Sequence, residues 1–356
     1  MLMPTTPPAT AVPQPLTLVG NEGSPYSRKM RALLRYRRIP HRWMVQLGPE
    51  YKAPPKVPVQ VIPVLIWHDA SGAPTEAMVD STPQIRRLER EYAGRSVLHP
   101  DPALEFISAL IEDYADEWCT KFMFHYRWAD AAGIAWAREH LAREISPSVP
   151  AEQMAFFAKS FADRQIGRRW VVGSNEETGP IIEAEYRRVL GLLDALIAAR
   201  LFLFGDRPSA ADFGLHGQFV QLCHWDPTSR EIARETAPRV VAWTARLDDL
   251  SGWDAQEAHW LSREAALPAL LPLLGEIGET YVPFLLANAA ARAAGQEQME
   301  CRIQNTRWTQ KVFPYQVKCL SWLREHFATL GAADQAWLRD VLRPTGCGEL
   351  LVSPRA

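Results

Sequence analysis

The tightest constraint on this chain is a strand, a turn and a capped helix in immediate succession near its N-terminus. Leu16-Thr17-Leu18-Val19 is an apolar run of strand length, and Gly20-Asn21-Glu22-Gly23 is made of turn formers. Ser24-Pro25-Tyr26-Ser27-Arg28-Lys29-Met30-Arg31 then opens an amphipathic segment whose apolar residues include Met30, Leu33 and Leu34. Ser24 suits the N-cap, where a side-chain oxygen accepts from a free backbone N–H. Pro25 suits the first helical position, which needs no N–H. Free N–H groups and the helix dipole favour an anion at such an end, so a hydroxyl there is a candidate to hold a thiolate. The same residues also suffice as a plain cap.

The next elements follow at short intervals. Ile39-Pro40 ends the helix expected over 25–37, and His41 to Leu47 reads as a second strand, with Trp43, Val45 and Leu47 alternating. A strand, a crossover helix and a strand make a βαβ unit with parallel strands. Gly48 to Pro58 carries four prolines and reads as an irregular connection. Val59 to Trp67 is a strand with Pro63 inside it, a position that a cis X-Pro bond at the strand entry accounts for. Asp69-Ala70-Ser71-Gly72 supplies a turn and Glu76 to Val79 a returning strand. Asp80-Ser81-Thr82-Pro83 starts a helix whose inner face is Ile85, Leu88 and Tyr92, with Asp80 or Ser81 as its cap.

This βαβ-ββα order, with these residues in it, resembles the thioredoxin-like N-terminal domain of the glutathione S-transferase superfamily. Ser24 to Lys29 looks like the first-helix motif of its serine- and cysteine-type classes, Val61-Ile62-Pro63-Val64-Leu65 like its cis-proline strand, and Asp80-Ser81 like its acidic-Ser pair. The resemblance implies glutathione as co-substrate and no metal. It gives Ser24 the role of stabilising the thiolate, with Ser27 and Tyr26 as alternates. The backbone at Ile62 and Pro63 would pair with the cysteinyl part, Asp80 and Ser81 would hold the γ-glutamyl end, and Gln60 would reach the glycyl end. It also implies a homodimer.

After a linker over 96–102, the chain turns helical. Ile107, Leu110, Ile111, Tyr114, Trp118 and Phe122 form one stripe, and Ile182, Tyr186, Val189, Leu190, Leu193, Leu196 and Ile197 another. Between them, 136–145 and 154–170 read as helices. Ser209 with Asp212 is a capping box with Asp in the usual Glu position, as in the family's helical domain. Tyr114 and Trp118 are the candidates to line an apolar electrophile site, each having an apolar body and a polar edge, although most of this stripe reads as core. His125 reads as hydrogen-bonded structure. Residues 261–356 exceed what the family needs. Leu267 to Ala294 reads as helix broken by Pro268, Pro272 and Pro283; Met299 to Pro314 as extended or irregular; Val317 to Leu330 and Asp334 to Leu342 as helices. This extension is an added helical layer, a partner surface or a cap over the cleft.

The expected fold is therefore an α/β thioredoxin-like domain over 14–95, an all-α domain over 103–260 and a helical extension over 261–356, behind a disordered lead-in over 1–13. Net charge is -2 across 356 residues, so no global charge calls for nucleic acid. Five scattered cysteines lack metal-ligand or CxxC spacing, which suits a reducing, cytoplasmic setting. No membrane partner is expected from the run lengths. The functional expectation is a glutathione-dependent transferase or lyase whose thiolate attacks a small hydrophobic electrophile. The alternative is a non-catalytic scaffold or interaction module of the same fold.

Overall fold

The structure is a computed structural model, and it describes residues 14–145 and 149–352. The lead-in expected over 1–13 lies outside the described residues. Strand β1 (Leu16–Gly20) is followed by helix α1 (Pro25–Tyr36), β2 (His41–Val45), β3 (Val64–His68), β4 (Pro74–Val79) and α2 (Ser81–Glu91). The four strands form one mixed sheet in the order β2-β1-β3-β4. β1 and β2 are parallel, as the crossover through α1 demands, while β3 is antiparallel to both β1 and β4. The period of two sorts the side chains: Leu16, Leu18 and Leu65 join the main helical core, whereas Val19, Val64 and Ile66 pack with Val57 on the other face. The connection from 46 to 63 holds no helix or strand: the prolines of 48–58 keep it irregular as expected, but the strand expected from Val59 begins only at Val64, after Pro63, which has no N–H to give a ladder.

The helical part begins with α3 (Pro102–Tyr114), which runs through a π-turn (Ala115–Cys119) into α4 (Thr120–Trp128). Then come α5 (Ala131–Ile145), α6 (Ala151–Ile166), α7 (Gly179–Leu196), α8 (Ala210–Val220), α9 (Pro227–Thr236) and α10 (Pro238–Leu247). Every residue of α8 is buried, and the Ser209–Asp212 capping box closes its N-terminus in both directions. The helix crosses the start of α1 at Gly217, where a Cβ would come within 2.6 Å of the Pro25 carbonyl oxygen. Only a residue without a side chain permits that approach, and it seats α1 against the helical core.

The C-terminal extension departs from its sequence reading at one helix and decides between two alternatives at the segment after it. Arg263–Ala293 is one helix, α11, that continues through Pro268, Pro272 and Pro283. Each proline removes a helix hydrogen bond. Leu270, Leu273, Leu274, Ile277, Tyr281, Phe284 and Leu285 are all buried, and this tertiary packing carries the helix past those breaks. α11 is long and apolar enough to cross a membrane, yet more than half of its most apolar stretch lies inside the protein. The segment left open as extended or irregular is a β-hairpin, β5 (Gln298–Ile303) with β6 (Thr306–Lys311). Its turn, Gln304-Asn305, puts both residues in the left-handed region, at φ 48° and 66°. Helices α12 (Pro314–Thr329) and α13 (Ala332–Leu342) then pack on α3.

Candidate functional site

Strand register brings the three N-terminal motifs to one end of the sheet. Val19 of β1 is opposite Val64 of β3, and Val64 is opposite Val79 of β4. The loop after Gly20, the Ile62–Pro63 peptide and the Asp80-Ser81 pair therefore leave the sheet at the same edge. The Ile62–Pro63 bond is cis. The buried Gln84 side chain ties two of the motifs together, donating to the Pro63 carbonyl at 3.3 Å and to the Met78 carbonyl at 2.7 Å. Pro63 is buried, Ile62 is half-buried, and Gln60 is exposed on the preceding loop.

At the helix start the three hydroxyls have different fates. Ser24 is half-buried at the N-cap, where its Oγ accepts from the Ser27 N–H at 3.3 Å. Ser27 is fully buried, and its Oγ accepts from the Asn21 N–H at 3.3 Å inside the loop. Tyr26 points away, donating its hydroxyl to the Asp116 carbonyl at 2.7 Å, and burial pushes its phenol pKa up. Ser24 is thus the hydroxyl engaged by the helix cap itself. The loop itself is clamped from the helical part. Glu144, in the last turn of α5, accepts from the Gly23 N–H at 2.9 Å and also from the Glu22 N–H. Arg127 donates to the Gly23 carbonyl at 2.7 Å, and Gln221 to the Glu22 carbonyl at 2.7 Å. The backbone N–H groups beside Ser24 are thus taken by the protein's own carboxyl group. Burial lifts Glu144 to about 7, against the pull of the Gly23 N–H and of nearby arginines.

Asp80 and Ser81 are embedded in a buried ion network. Asp80 stands at the N-cap of α2 with φ at 79°, a left-handed conformation that is strained for a non-glycine residue. Its carboxylate accepts from the Tyr315 hydroxyl at 2.8 Å, a contact made by the C-terminal extension. The Ser81 Oγ accepts from Lys29 Nζ at 3.2 Å. The same ammonium donates to Glu112 at 2.8 Å and to Asp116 at 2.5 Å, with no part of the Lys29 side chain exposed. Burial opposes the charge on Lys29, but Asp116 and Glu112 outweigh it and raise the ammonium pKa. Lys29, Glu144 and Tyr315 were not singled out in the sequence. Lys29 had a signal, since it falls on the inner face of α1 one turn before Leu33. Glu144 and Tyr315 had none.

Tyr114 and Trp118 lie apart from this end. Both are fully buried and donate to the same Glu185 oxygen, at 3.1 and 2.7 Å. His125 is hydrogen-bonded to Ser174 at 2.8 Å and faces Glu183 at 3.2 Å.

Two family models match the chain. The glutathione S-transferase N-terminal domain matches residues 18–96, and the glutathione S-transferase C-terminal domain matches residues 134–246. The chain belongs to the glutathione S-transferase superfamily. No curated protein sequence matches it significantly. Solved structures similar to it include a glutathione S-transferase from Methylobacterium radiotolerans in complex with glutathione sulfonate, at 20% identity over 66% of this chain and 91% of that one, with a TM-score of 0.40. FzlA from C. crescentus is 17% identical over 71% of this chain and 98% of its own, with a TM-score of 0.40. The beta-etherase LigF from Sphingobium sp. is 18% identical over 66% and 95%, again at 0.40. In this glutathione S-transferase-fold chain the Ile62–Pro63 peptide is cis, Asp80-Ser81 opens α2, and α11 to α13 lie beyond both matched segments.

Proposed function

We propose that this chain is a glutathione-dependent transferase or lyase of the cytoplasm. The glutathione thiolate, held by the Ser24 hydroxyl at the head of α1, attacks a small apolar or aromatic electrophile. The sulfur forms a bond to an electrophilic carbon, the leaving group departs with the bonding pair, and the thiol proton goes to solvent. The observation that carries this reading is the register of β1, β3 and β4, which sets Ser24's loop, Ile62-Pro63 and Asp80-Ser81 along one sheet edge. The strained backbone of Asp80 at that edge supports it, since such conformations persist where surrounding structure holds them and cluster at ligand sites. In this reading Ile62 and Pro63 present backbone to the cysteinyl part, Asp80 and Ser81 take the γ-glutamyl end, and Gln60 takes the glycyl end. For Tyr114 and Trp118 to meet the electrophile, their bonds to Glu185 would have to open. The proposed assembly is a homodimer, without nucleic-acid or membrane partners.

A second reading, a non-catalytic scaffold, is favoured by one observation: Asp80 is already engaged by Tyr315, and Ser81 by Lys29. Calorimetry at millimolar glutathione decides between them, with binding expected for the enzyme and none for the scaffold. If glutathione binds, Ser24→Ala is expected to raise the bound thiol's pKa in a thiolate absorbance titration. An unchanged titration removes Ser24 from its role. Light scattering of the full chain tests the dimer, and a monomer mass would discard it.

A further inference from the structure

A cavity of about 490 Å³ lies between α2, α3 with its π-turn, and α12, within the size range of small-molecule pockets, about 300–1,000 Å³. Its two ends differ. α2 and α3 run antiparallel: Thr82 donates to Glu112 at 3.0 Å near one end, and Arg86 reaches Glu105 at 2.8 Å toward the other. α12 runs alongside α2, with Tyr315 beside Asp80 and the His326 ring 5.5 Å from Phe106. Asp113, Asp116 and Glu117 therefore line the end near Tyr315, and Arg86 and Arg90 line the opposite end. Ala109, Trp322 and Leu323 form an apolar wall.

At the acidic end the carboxylates outnumber the cations paired with them. Lys29 serves Glu112 and Asp116, but no ion pair reaches Asp113 or Glu117 among the described residues. Asp113 accepts from neutral donors, the Tyr281 hydroxyl at 2.6 Å and the Cys319 thiol, and Glu117 from the neutral Gln316. Asp116 is 7% exposed; Lys29 binds its Oδ2, while its Oδ1 is buried without a hydrogen-bond partner. Burial pushes Asp113 up to about 7 and Glu117 up to about 8, neighbouring carboxylates add to it, and the pull of Lys121 on Glu117 does not offset it.

We propose that this cavity binds a primary-amine ligand with an apolar body, its ammonium among Asp113, Asp116 and Glu117 and its body against Trp322, Leu323 and Ala109. An ammonium has three donors and no acceptor, which matches three carboxylates, one of them with an unused oxygen. Indole and phenol faces attract cations, and the protein's own Lys318 ammonium already lies 4.3 Å from the Trp322 ring and 5.8 Å from the Tyr315 ring, so the ligand's ammonium is held by the carboxylates. The two arginines at the far end disfavour a long polyamine and leave a short amine as the fitting class. Neither Ser24 nor Ile62-Pro63 lines this cavity, so the site does not depend on the thiol reading.

The test is calorimetry of the full chain with phenethylamine, beside 2-phenylethanol, which keeps the apolar body and replaces the ammonium with a hydroxyl. Phenethylamine is expected to bind at a single saturable site, about tenfold or more tighter than the alcohol, the scale of one charge-assisted hydrogen bond. Asp113→Asn and Glu117→Gln are each expected to weaken it about tenfold. Ala109→Trp keeps every charge and fills the cavity, and is expected to abolish binding. Circular dichroism and thermal melts confirm that each variant is folded. No saturable amine binding, equal affinity for amine and alcohol, or unchanged amine affinity in folded Ala109→Trp and Glu117→Gln overturns the proposal. Because the proposed γ-glutamyl end at Asp80-Ser81 adjoins the acidic end through Tyr315 and Lys29, glutathione binding is measured separately in folded Ala109→Trp, whose substitution lies away from Ser24 and Ile62-Pro63.

Discussion

The two ends of α1 and α2 that meet at the sheet edge are built on different principles. At Ser24 the groups that matter are backbone N–H groups and a capping hydroxyl, set by residues adjacent in sequence. At Asp80 and Ser81 they are side chains from far along the chain, charged ones from α1 and from α3 with its π-turn and the neutral Tyr315 hydroxyl from α12. The first end is a local structure that a helix start makes wherever it occurs. The second exists only when three distant elements are packed, and it stakes much more of the fold on a few atoms. A buried charge that loses its partner is costly, whereas a lost cap is a modest loss.

The contrast can be broken most directly at Lys29. Lys29→Met leaves Glu112 and Asp116 without their buried partner, and urea unfolding is expected to show a loss of about 3–5 kcal/mol. If stability is unchanged, the network does not hold the two parts together. A second test uses pH. Glu105, Asp113, Glu117, Glu144 and Glu185 all have pKa values raised, to between about 7 and about 8, chiefly by burial. Carboxyls raised in the folded state bind more protons there than in the unfolded chain. Their stabilisation is full below the ordinary carboxyl range and is lost as pH rises through about 8. Buried His216 and His326, lowered to about 3 and about 4, act in the opposite sense below pH 7, so the melting temperature is expected to fall from pH 7 to pH 9, against the smaller opposite pull of Lys121, and Glu117→Gln, which stays neutral, is expected to flatten that slope.

Smaller effects sharpen the comparison. Gly217→Val forces a side chain against the Pro25 carbonyl and is expected to destabilise the protein by about 1–3 kcal/mol, disturbing the Ser24 end from beneath. Tyr315→Phe removes the hydroxyl that occupies Asp80. If Asp80 is a γ-glutamyl ligand, glutathione binding is expected to tighten by up to about tenfold, the worth of one hydrogen bond to a charge. Unchanged affinity removes Asp80 from that role. Ser24→Ala should cost only about 1 kcal/mol in a thermal melt, the ordinary price of a cap.

Much of the N-terminal architecture was legible because its signals are local. The apolar run at Leu16–Val19, the Ser24-Pro25 helix start, the parallel pairing of β1 with β2 and the Ser209–Asp212 box all appear where the residues put them. The reading failed where packing overrode a local rule. Three prolines mark a broken helix by sequence, yet α11 is continuous because its apolar residues are buried along its length. The β5–β6 hairpin turns at Gln304-Asn305 without glycine, so the usual turn signal was missing. At the candidate site, Ser24, Ile62-Pro63 and Asp80-Ser81 stood out in the sequence. The residues that occupy their polar groups, Lys29, Glu144 and Tyr315, did not.

The sequence by itself determined the order of strands and helices and the capped start of α1, because hydrophobic period, capping and turn chemistry act over a few residues. Only the tertiary structure decided which charge meets which. Lys29 finds Glu112 and Asp116, and Asp80 finds Tyr315, across 83, 87 and 235 positions of chain. The reason is that a charge taken out of water must be matched by whatever group the packed core carries to it, and nothing local to Lys29 or Asp80 specifies that group.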